Sequence, residues 1–286
     1  MTLRVLATGP LCTVQDLGRS GWFADGVGVS GAADRRSLAL ANRLVGNDES
    51  AAGIECLLGG LELSALAPVT VAVTGAPASI TVEGTPNGHA SVIDLACGQT
   101  VRLGLASAGL RTYVAVRGGI DVPAVLGSRS YDTLSAIGPA PLQVGQELPV
   151  GPTPGGWPII DQAPVAAMTS DPVIARVSFG PRDEWFEQPQ DLLDGWWEVS
   201  DRSDRVGARL IRPERFPSLR RRDESELPSE GIPLGAVQVP PSGEPVIFLA
   251  DHPITGGYPV IGVVVDADID LVAQARPGQQ IRFVRA

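Results

Sequence analysis

The fold turns on residues 61–84, LELSALAPVTVAVTGAPASITVEG. Apolar and polar side chains alternate here in short runs that Pro68, Gly75, Pro77 and Gly84 interrupt. Side chains on an extended strand point to opposite faces in turn, so such runs read as strands separated by turns. The pattern continues as TVRLGL (100–105) and RTYVAV (111–116). Many short strands at this spacing argue for a mainly β chain built as a barrel or sandwich. Upstream, Leu3–Ala7 and Leu11–Gln15 read as strands, and Asp16–Gly21 as a turn whose glycines allow positive φ. Downstream, residues 117–130 read as a loop with one apolar turn. Residues 138–172 hold eight prolines and no periodicity, which reads as a linker or a long surface crossing.

The second half starts again with a strand, Val173–Phe179, followed by a turn around Pro181–Phe186. Trp196–Val199 reads as a strand with one buried indole; IFLAD (247–251) and YPVIGVVVDAD (258–268) are further strands. Asp268 or Asp270 is the expected cap of a short helix, LVAQA (271–275), and GQQIRF (278–283) closes the chain as a strand. The expected organisation is an N-terminal β-barrel domain over 1–150, a Pro/Gly-rich linker over 151–172 and a C-terminal β-barrel domain over 173–286. A weak internal echo supports two related domains: SGAADRRSLALANRL and AAGIECLLGG in the first half, SDRSDRVGARL and PSEGIPLGAVQV in the second.

One helix interrupts the β pattern. In SGAADRRSLALANRLVGN (30–47), Asp34 is the expected N-cap, Leu38, Ala41 and Val45 recur at helical spacing, and Gly46-Asn47 supplies the stop. Arg35 and Arg36 oppose the helix dipole at its N-terminus, which argues that one of them has a partner elsewhere. The helix reads either as a plug on the β structure or as a carrier of Asp34, Arg36 and Asn42 toward a cleft.

Composition excludes a good deal. The net charge is −10, and the only basic run, Arg220–Arg222, is followed at once by Asp223, Glu224 and Glu226, so no nucleic-acid surface is indicated. The chain contains no lysine: no Schiff base, no lysine-bearing phosphate loop and no biotinyl-lysine are available. Two histidines and three scattered cysteines make a His/Cys metal site an unpromising reading, and the thiols read as reduced, buried and cytoplasmic. No run approaches the roughly 20 apolar residues of a membrane helix, and MTLRVLATG is too short for a signal peptide.

The blocks TVQDLGRSGWFADGVGVSGAADRRSLALANRLVGN, LRTYVAVRGGIDVPAVLGSRS, SDRVGARL, LPSEGIPLGAVQVPPSGEPVIFLADHPITGGYPVIG and AQARPGQQIRF resemble the allophanate hydrolase subunit 2 family. That family is also described as the C-type subunit of the bacterial 5-oxoprolinase complex, or as the antagonist of a histidine-kinase inhibitor. The likeness spans nearly everything outside 140–172; HPITGGYP departs from the family's usual wording around His252-Pro253-Ile254. The resemblance implies two cyclophilin-like β-barrel domains, a partner of the subunit 1 (kinase-inhibitor) family, and a separate ATP-dependent 5-oxoprolinase subunit with which 5-oxoproline is opened to glutamate. Similar domains form the carboxyltransferase part of urea carboxylase. It also implies that ATP, and biotin in the carboxyltransferase case, belong to partner chains. Self-association is expected as well. A non-catalytic protein that sequesters the kinase-inhibitor-like partner is the other reading.

Without lysine or a histidine cluster, chemistry falls to carboxylates, guanidinium groups, hydroxyls and backbone N–H groups. Ser30–Arg36 and Ser203-Asp204-Arg205 each combine an acceptor, an acid and an arginine, which suits a carboxylate. Glu230 is a candidate base if burial raises its pKa, alongside Asp204. Thr255, Gly256 and Gly257 offer backbone donors to an oxyanion, with the Tyr258 hydroxyl beside them. These residues are expected to meet at the junction of the two domains. Each has a plainer alternative: Asp34 and Asp204 as caps, Arg36 and Arg205 as structural ion pairs, Glu230 as an acceptor in its own turn, Gly256-Gly257 as a hairpin turn, and His252 as a loop residue.

Overall fold

Alternating side chains sort this chain into sheets, with only two α-helices among the described residues. The structure is a computed structural model that describes residues 1–216, 218–222 and 225–286. Asp223 and Glu224, expected in a solvated loop, lie outside the described residues. The chain forms two units: Met1–Arg19 with Ser30–Thr169, and Ser20–Val29 with Ser170–Ala286. Residues expected as a linker are thus part of the first unit as far as Thr169, and a ten-residue piece near the N-terminus belongs to the second.

The first unit contains β1 (Thr2–Ala7), β2 (Leu11–Gln15), α1 (Arg35–Leu44), β3 (Gly53–Leu57), β4 (Glu62–Ala65), β5 (Val69–Gly75), β6 (Ala78–Val82), β7 (Thr85–Asn87), β8 (Val92–Leu95), β9 (Thr100–Ala106), β10 (Arg111–Val116) and β11 (Glu147–Pro149). They make a six-stranded sheet, β11-β1-β4-β9-β6-β7, and a five-stranded sheet, β2-β3-β10-β5-β8. One apolar core joins the facing sides of the two sheets, with Leu3, Leu63 and Leu103 from the first and Ile54, Val73 and Val114 from the second. On the other side of the five-stranded sheet, Ala72 and Ala115 are small enough to seat Ala41, Leu44 and Val45 of the helical segment. β10 is therefore covered on both faces and buried along its length, which is why its closing stretch, YVAV, shows no polar alternation. Gly53 is required by the same packing: a Cβ there would lie 2.8 Å from Val114 O and 2.9 Å from Leu38 Cδ1. β3 and β8 were not among the expected strands, because each is a short run in which an acid, Glu55 or Asp94, interrupts the apolar sequence. Of the three thiols expected to be buried, Cys12 and Cys56 are, while Cys97 is exposed beyond the end of β8.

The Pro-rich segment runs over the surface of this unit. Val92 N donates to Asp161 O at 2.7 Å and Ala163 N to Ala90 O at 2.9 Å, so it lies along the edge strand β8. Buried Arg117 pins it: its guanidinium donates to Val45 O (2.7 Å), Pro154 O (2.5 Å) and Gly156 O (2.7 Å) and stacks on Trp157.

The second unit contains β12 (Val173–Phe179), β13 (Trp197–Val199), β14 (Gly207–Ile211), β15 (Glu230–Gly231), β16 (Ala236–Gln238), β17 (Val246–Phe248), β18 (Thr255–Gly256), β19 (Val260–Val264), α2 (Asp266–Ala273) and β20 (Gln280–Arg285). Seven of them close into a barrel in the order β12-β19-β16-β17-β14-β13-β20, while β15 and β18 form a separate two-stranded sheet. Closure leaves the barrel without a free edge. Trp197 is the buried indole, its Nε1 donating to Leu192 O at 3.0 Å. The second helix corrects the expectation in two ways. It begins at Asp266, five residues before LVAQA, and neither Asp268 nor Asp270 caps it; Val265 precedes the first turn. Asp268 lies inside the helix and takes a bidentate bond from Arg176 (2.8 and 2.7 Å) on β12.

Candidate functional site

The expected site residues divide between the units: Asp34, Arg36 and Asn42 in the first, and Ser203, Asp204, Arg205, Glu230, Thr255, Gly256, Gly257 and Tyr258 in the second.

In the first unit Asp34 is the N-cap of α1. Its carboxylate accepts from Ser37 N at 2.9 Å and Ser37 Oγ at 2.6 Å. Arg36 is exposed on the first turn. Asn42 is fully buried, and its amide is used within the fold: Nδ2 donates to Glu49 O (3.2 Å) and Ala51 O (2.7 Å), and Oδ1 accepts from Asn47 Nδ2 (3.0 Å). Those bonds hold the loop that follows the helix.

Beneath Asp34 lies a buried polar network that the sequence reading did not isolate. Asp34 N donates to Tyr113 Oη at 2.8 Å, and that hydroxyl donates to Glu55 Oε2 at 2.8 Å. Ala33 N donates to the same oxygen at 3.0 Å, and the buried Arg111 guanidinium lies 3.4 Å from Glu55 Oε1. Burial, then the Glu55 and Asp34 charges, push the Tyr113 hydroxyl well above its ordinary pKa, so it stays a donor at neutral pH. The signal was present in IECL: one carboxylate inside an otherwise apolar strand has to find donors. Beside Ser37 a cavity of about 180 Å³ opens, lined also by Leu40, Pro77, Met168 and His89. Burial lowers the His89 pKa, which favours a neutral imidazole. A larger, more open groove of about 640 Å³ runs past Thr70, Asp94, Arg117 and Trp157.

In the second unit the Ser203-Asp204-Arg205 triplet splits. Ser203 and exposed Asp204 serve the turn into β14: Ser203 Oγ accepts from Arg209 N at 3.0 Å, and Asp204 Oδ1 accepts from Val206 N and Gly207 N at 2.8 and 3.1 Å. Arg205 points to a different partner. It is buried in a bidentate pair with Asp251, at 2.8 and 2.9 Å, and Asp251 N donates back to Arg205 O. Asp251 was read only as the end of a strand. His252, next to it, is buried, and its Nδ1 lies 2.9 Å from Pro253 O.

Glu230 and Gly256 do come together: they are direct partners in the β15–β18 ladder, with Gly231 opposite Thr255. A Cβ at Gly256 would lie 2.4 Å from Ile232 Cδ1 and 2.7 Å from Gln238 Nε2, so both side-chain ends would have to move to admit one. Gln238 Nε2 in turn donates to Tyr258 O at 3.1 Å, and the Tyr258 side chain is partly exposed. The expectation of a raised pKa at Glu230 is corrected. Arg182 donates to both of its oxygens, and this pairing lowers the Glu230 pKa and raises that of Arg182. Glu230 is an ionised partner of a half-exposed guanidinium, not a buried acid. The cluster Arg182, Glu230, Gly256 is therefore an ion pair beside a short two-stranded ladder, with Glu184 3.8 Å from the same guanidinium.

Residues 25–285 match the family model for the carboxyltransferase domain, subdomain A and B. The chain is 34% identical to the C-type subunit of the Escherichia coli K12 5-oxoprolinase over 290 residues, covering 99% of this chain and 91% of that protein. It is also 34% identical to a urea amidolyase of Lachancea kluyveri, where the match covers 98% of this chain but 17% of that protein. The crystal structure of TTHA0988 superposes with a TM-score of 0.87 at 34% identity, over 99% of this chain; the chain spans about half, 55%, of that structure's length.

Proposed function

The chain belongs to the family of the carboxyltransferase domain, subdomain A and B, and from that premise we propose that it is the C-type subunit of an ATP-dependent 5-oxoprolinase. In this reading 5-oxoproline, a cyclic amide bearing one carboxylate, is opened to glutamate. ATP is used on a separate subunit, and a subunit 1-like chain completes the complex. The observation that carries the proposal is the 34% identity to the C-type subunit of a 5-oxoprolinase over 91% of that protein's length. The lack of lysine supports the placing of nucleotide chemistry on another chain.

Within this chain, Arg182 would hold the substrate carboxylate in exchange for part of its bond to Glu230. Gly256, Gly257 and Tyr258 would line the approach. A second reading, the carboxyltransferase part of a urea-carboxylating system, is favoured by the family model and by the match to urea amidolyase.

The test is reconstitution with the subunit 1-like and ATP-dependent partners. Glutamate release should require 5-oxoproline, ATP and this chain. Arg182→Ala should raise KM about tenfold or more, the loss expected for one charge-assisted hydrogen bond. Absence of glutamate release, together with biotin-dependent ATP use on urea, would replace the first reading by the second.

A further inference from the structure

β2 and β3 are antiparallel neighbours, and Cys12 stands directly opposite Cys56. Opposed residues in such a ladder alternate between hydrogen-bonded pairs, with Cα atoms about 5.5 Å apart, and non-hydrogen-bonded pairs at about 4.5 Å. The outward bonds of the two strands decide which kind this is. On β2, Cys12 O accepts from Leu142 N at 2.8 Å and Val14 O from Tyr131 N at 3.1 Å, so these residues turn their backbone polar groups away from β3. On β3, Cys56 is opposite Thr112 of β10, and Leu58, two residues on, donates to Leu110 O at 2.7 Å. Cys12 and Cys56 thus form a non-hydrogen-bonded pair, the kind that brings side chains closest. Disulfides span Cα separations of about 4.4–6.8 Å, a window that includes the spacing of non-hydrogen-bonded pairs.

Both side chains lie in the apolar core between the two sheets. A sheet core at this position is ordinarily filled by Val or Ile; here two thiols stand opposite each other instead. We propose that Cys12 and Cys56 are an oxidisable dithiol, free in the resting protein and closed to a cross-strand disulfide by a peroxide or a small-molecule disulfide.

With hydrogen peroxide the step balances as follows. The Cys12 thiolate attacks one peroxide oxygen, the O–O bond breaks, and hydroxide leaves, giving Cys12–SOH. Cys56 Sγ then attacks the Cys12 sulfur, the S–O bond breaks, and the departing hydroxide takes the Cys56 proton as water. Two thiols are oxidised and one peroxide is reduced. The order of events follows from the pair's polarity: the neighbouring Cys56 lowers the Cys12 thiol pKa, while Cys12 and burial raise that of Cys56. β2 is the edge strand of its sheet, so local opening of that edge is the route of access. The closed link would fix the register of β2 on β3, the strand that carries Glu55 on its opposite face.

The experiment treats the folded full chain with hydrogen peroxide, and separately with oxidised glutathione, followed by non-reducing peptide mapping. The expected product is an intramolecular Cys12–Cys56 peptide, formed equally in Cys97→Ser, and slower amide exchange along 11–15 in the oxidised protein. Cys97, exposed and bonded to Leu66 O, is the internal control for reagent strength. Folded protein in which Cys97 is modified while Cys12 and Cys56 stay reduced would overturn the proposal. So would a link that forms only in urea, mixed with pairings to Cys97. Neither readout depends on a core variant folding.

Discussion

Glu230 keeps its charge because the Arg182 guanidinium grips both of its oxygens. Its titration midpoint should lie below the ordinary glutamate value, and Arg182→Ala should return it toward that value, as read by NMR titration of the side-chain carboxyl. The sign for stability follows from the depressed pKa. The contribution is fully present above the unfolded-state pKa, about 4.3, and is lost as pH falls through the folded-state pKa. Both groups are partly exposed to water, so screening keeps the effect on the acid limb of the stability curve small. Arg205 is the opposite case. Its pair with Asp251 is closed to solvent, and Arg205→Ala leaves that buried carboxylate without its guanidinium. Removing one member of such a pair costs about 3–5 kcal/mol, so the variant should show a clear drop in urea midpoint for the second unit. A variant with an unchanged midpoint and lost activity would move Arg205 from scaffold to substrate.

α1 shows how one element serves two ends. Its start is held by Asp34 and, through Tyr113 and Glu55, by strands β10 and β3; its end is held by Arg117 on Val45 O and by Asn42 on the loop beyond. Asp34→Ala removes a cap worth about 1 kcal/mol. Asn42→Ala removes the bonds to Glu49 O, Ala51 O and Asn47 Nδ2 at about 0.5–1.5 kcal/mol each, so it should be the more damaging of the two in urea denaturation of the first unit. The helix pattern itself was legible: Leu38, Ala41, Leu44 and Val45 are all buried as their spacing requires. The role of Asn42 was not legible, because an amide reads the same whether it faces a ligand or a loop. Only the positions of Asn47, Glu49 and Ala51 decide it.

At the scale of the whole molecule, sequence order and spatial grouping part ways. Ser20–Val29 belongs to the second unit although the rest of the first 169 residues forms the first. A fragment of residues 170–286 therefore lacks part of its own unit, including Gly28, where an added Cβ would lie 3.6 Å from His252 O and 3.8 Å from Ile254 Cγ2. That fragment should melt at a lower temperature alone than with a synthetic peptide of residues 20–29, and circular dichroism melts with and without the peptide check it. The mainly β character, the second unit's first strand and the family likeness were all readable from residue order, whereas the run 61–116 divides between two sheets and the closed barrel lies in the second unit. Strand alternation and turn chemistry are local and need no partner. What residue order left open was pairing. Glu230 was legible as a charged residue beside a turn, but its pKa depends on Arg182, 48 positions away, and moves opposite to the burial expectation. Cys12 and Cys56 read as separate apolar fillers until the β2–β3 register set them face to face. The sequence by itself determined most of the extended segments and the first helix, because those preferences act within a few residues; β3 and β8, each interrupted by an acid, escaped it. The tertiary structure decided which charges neutralise each other and which thiols meet, because electrostatics and sulfur chemistry depend on distance in space.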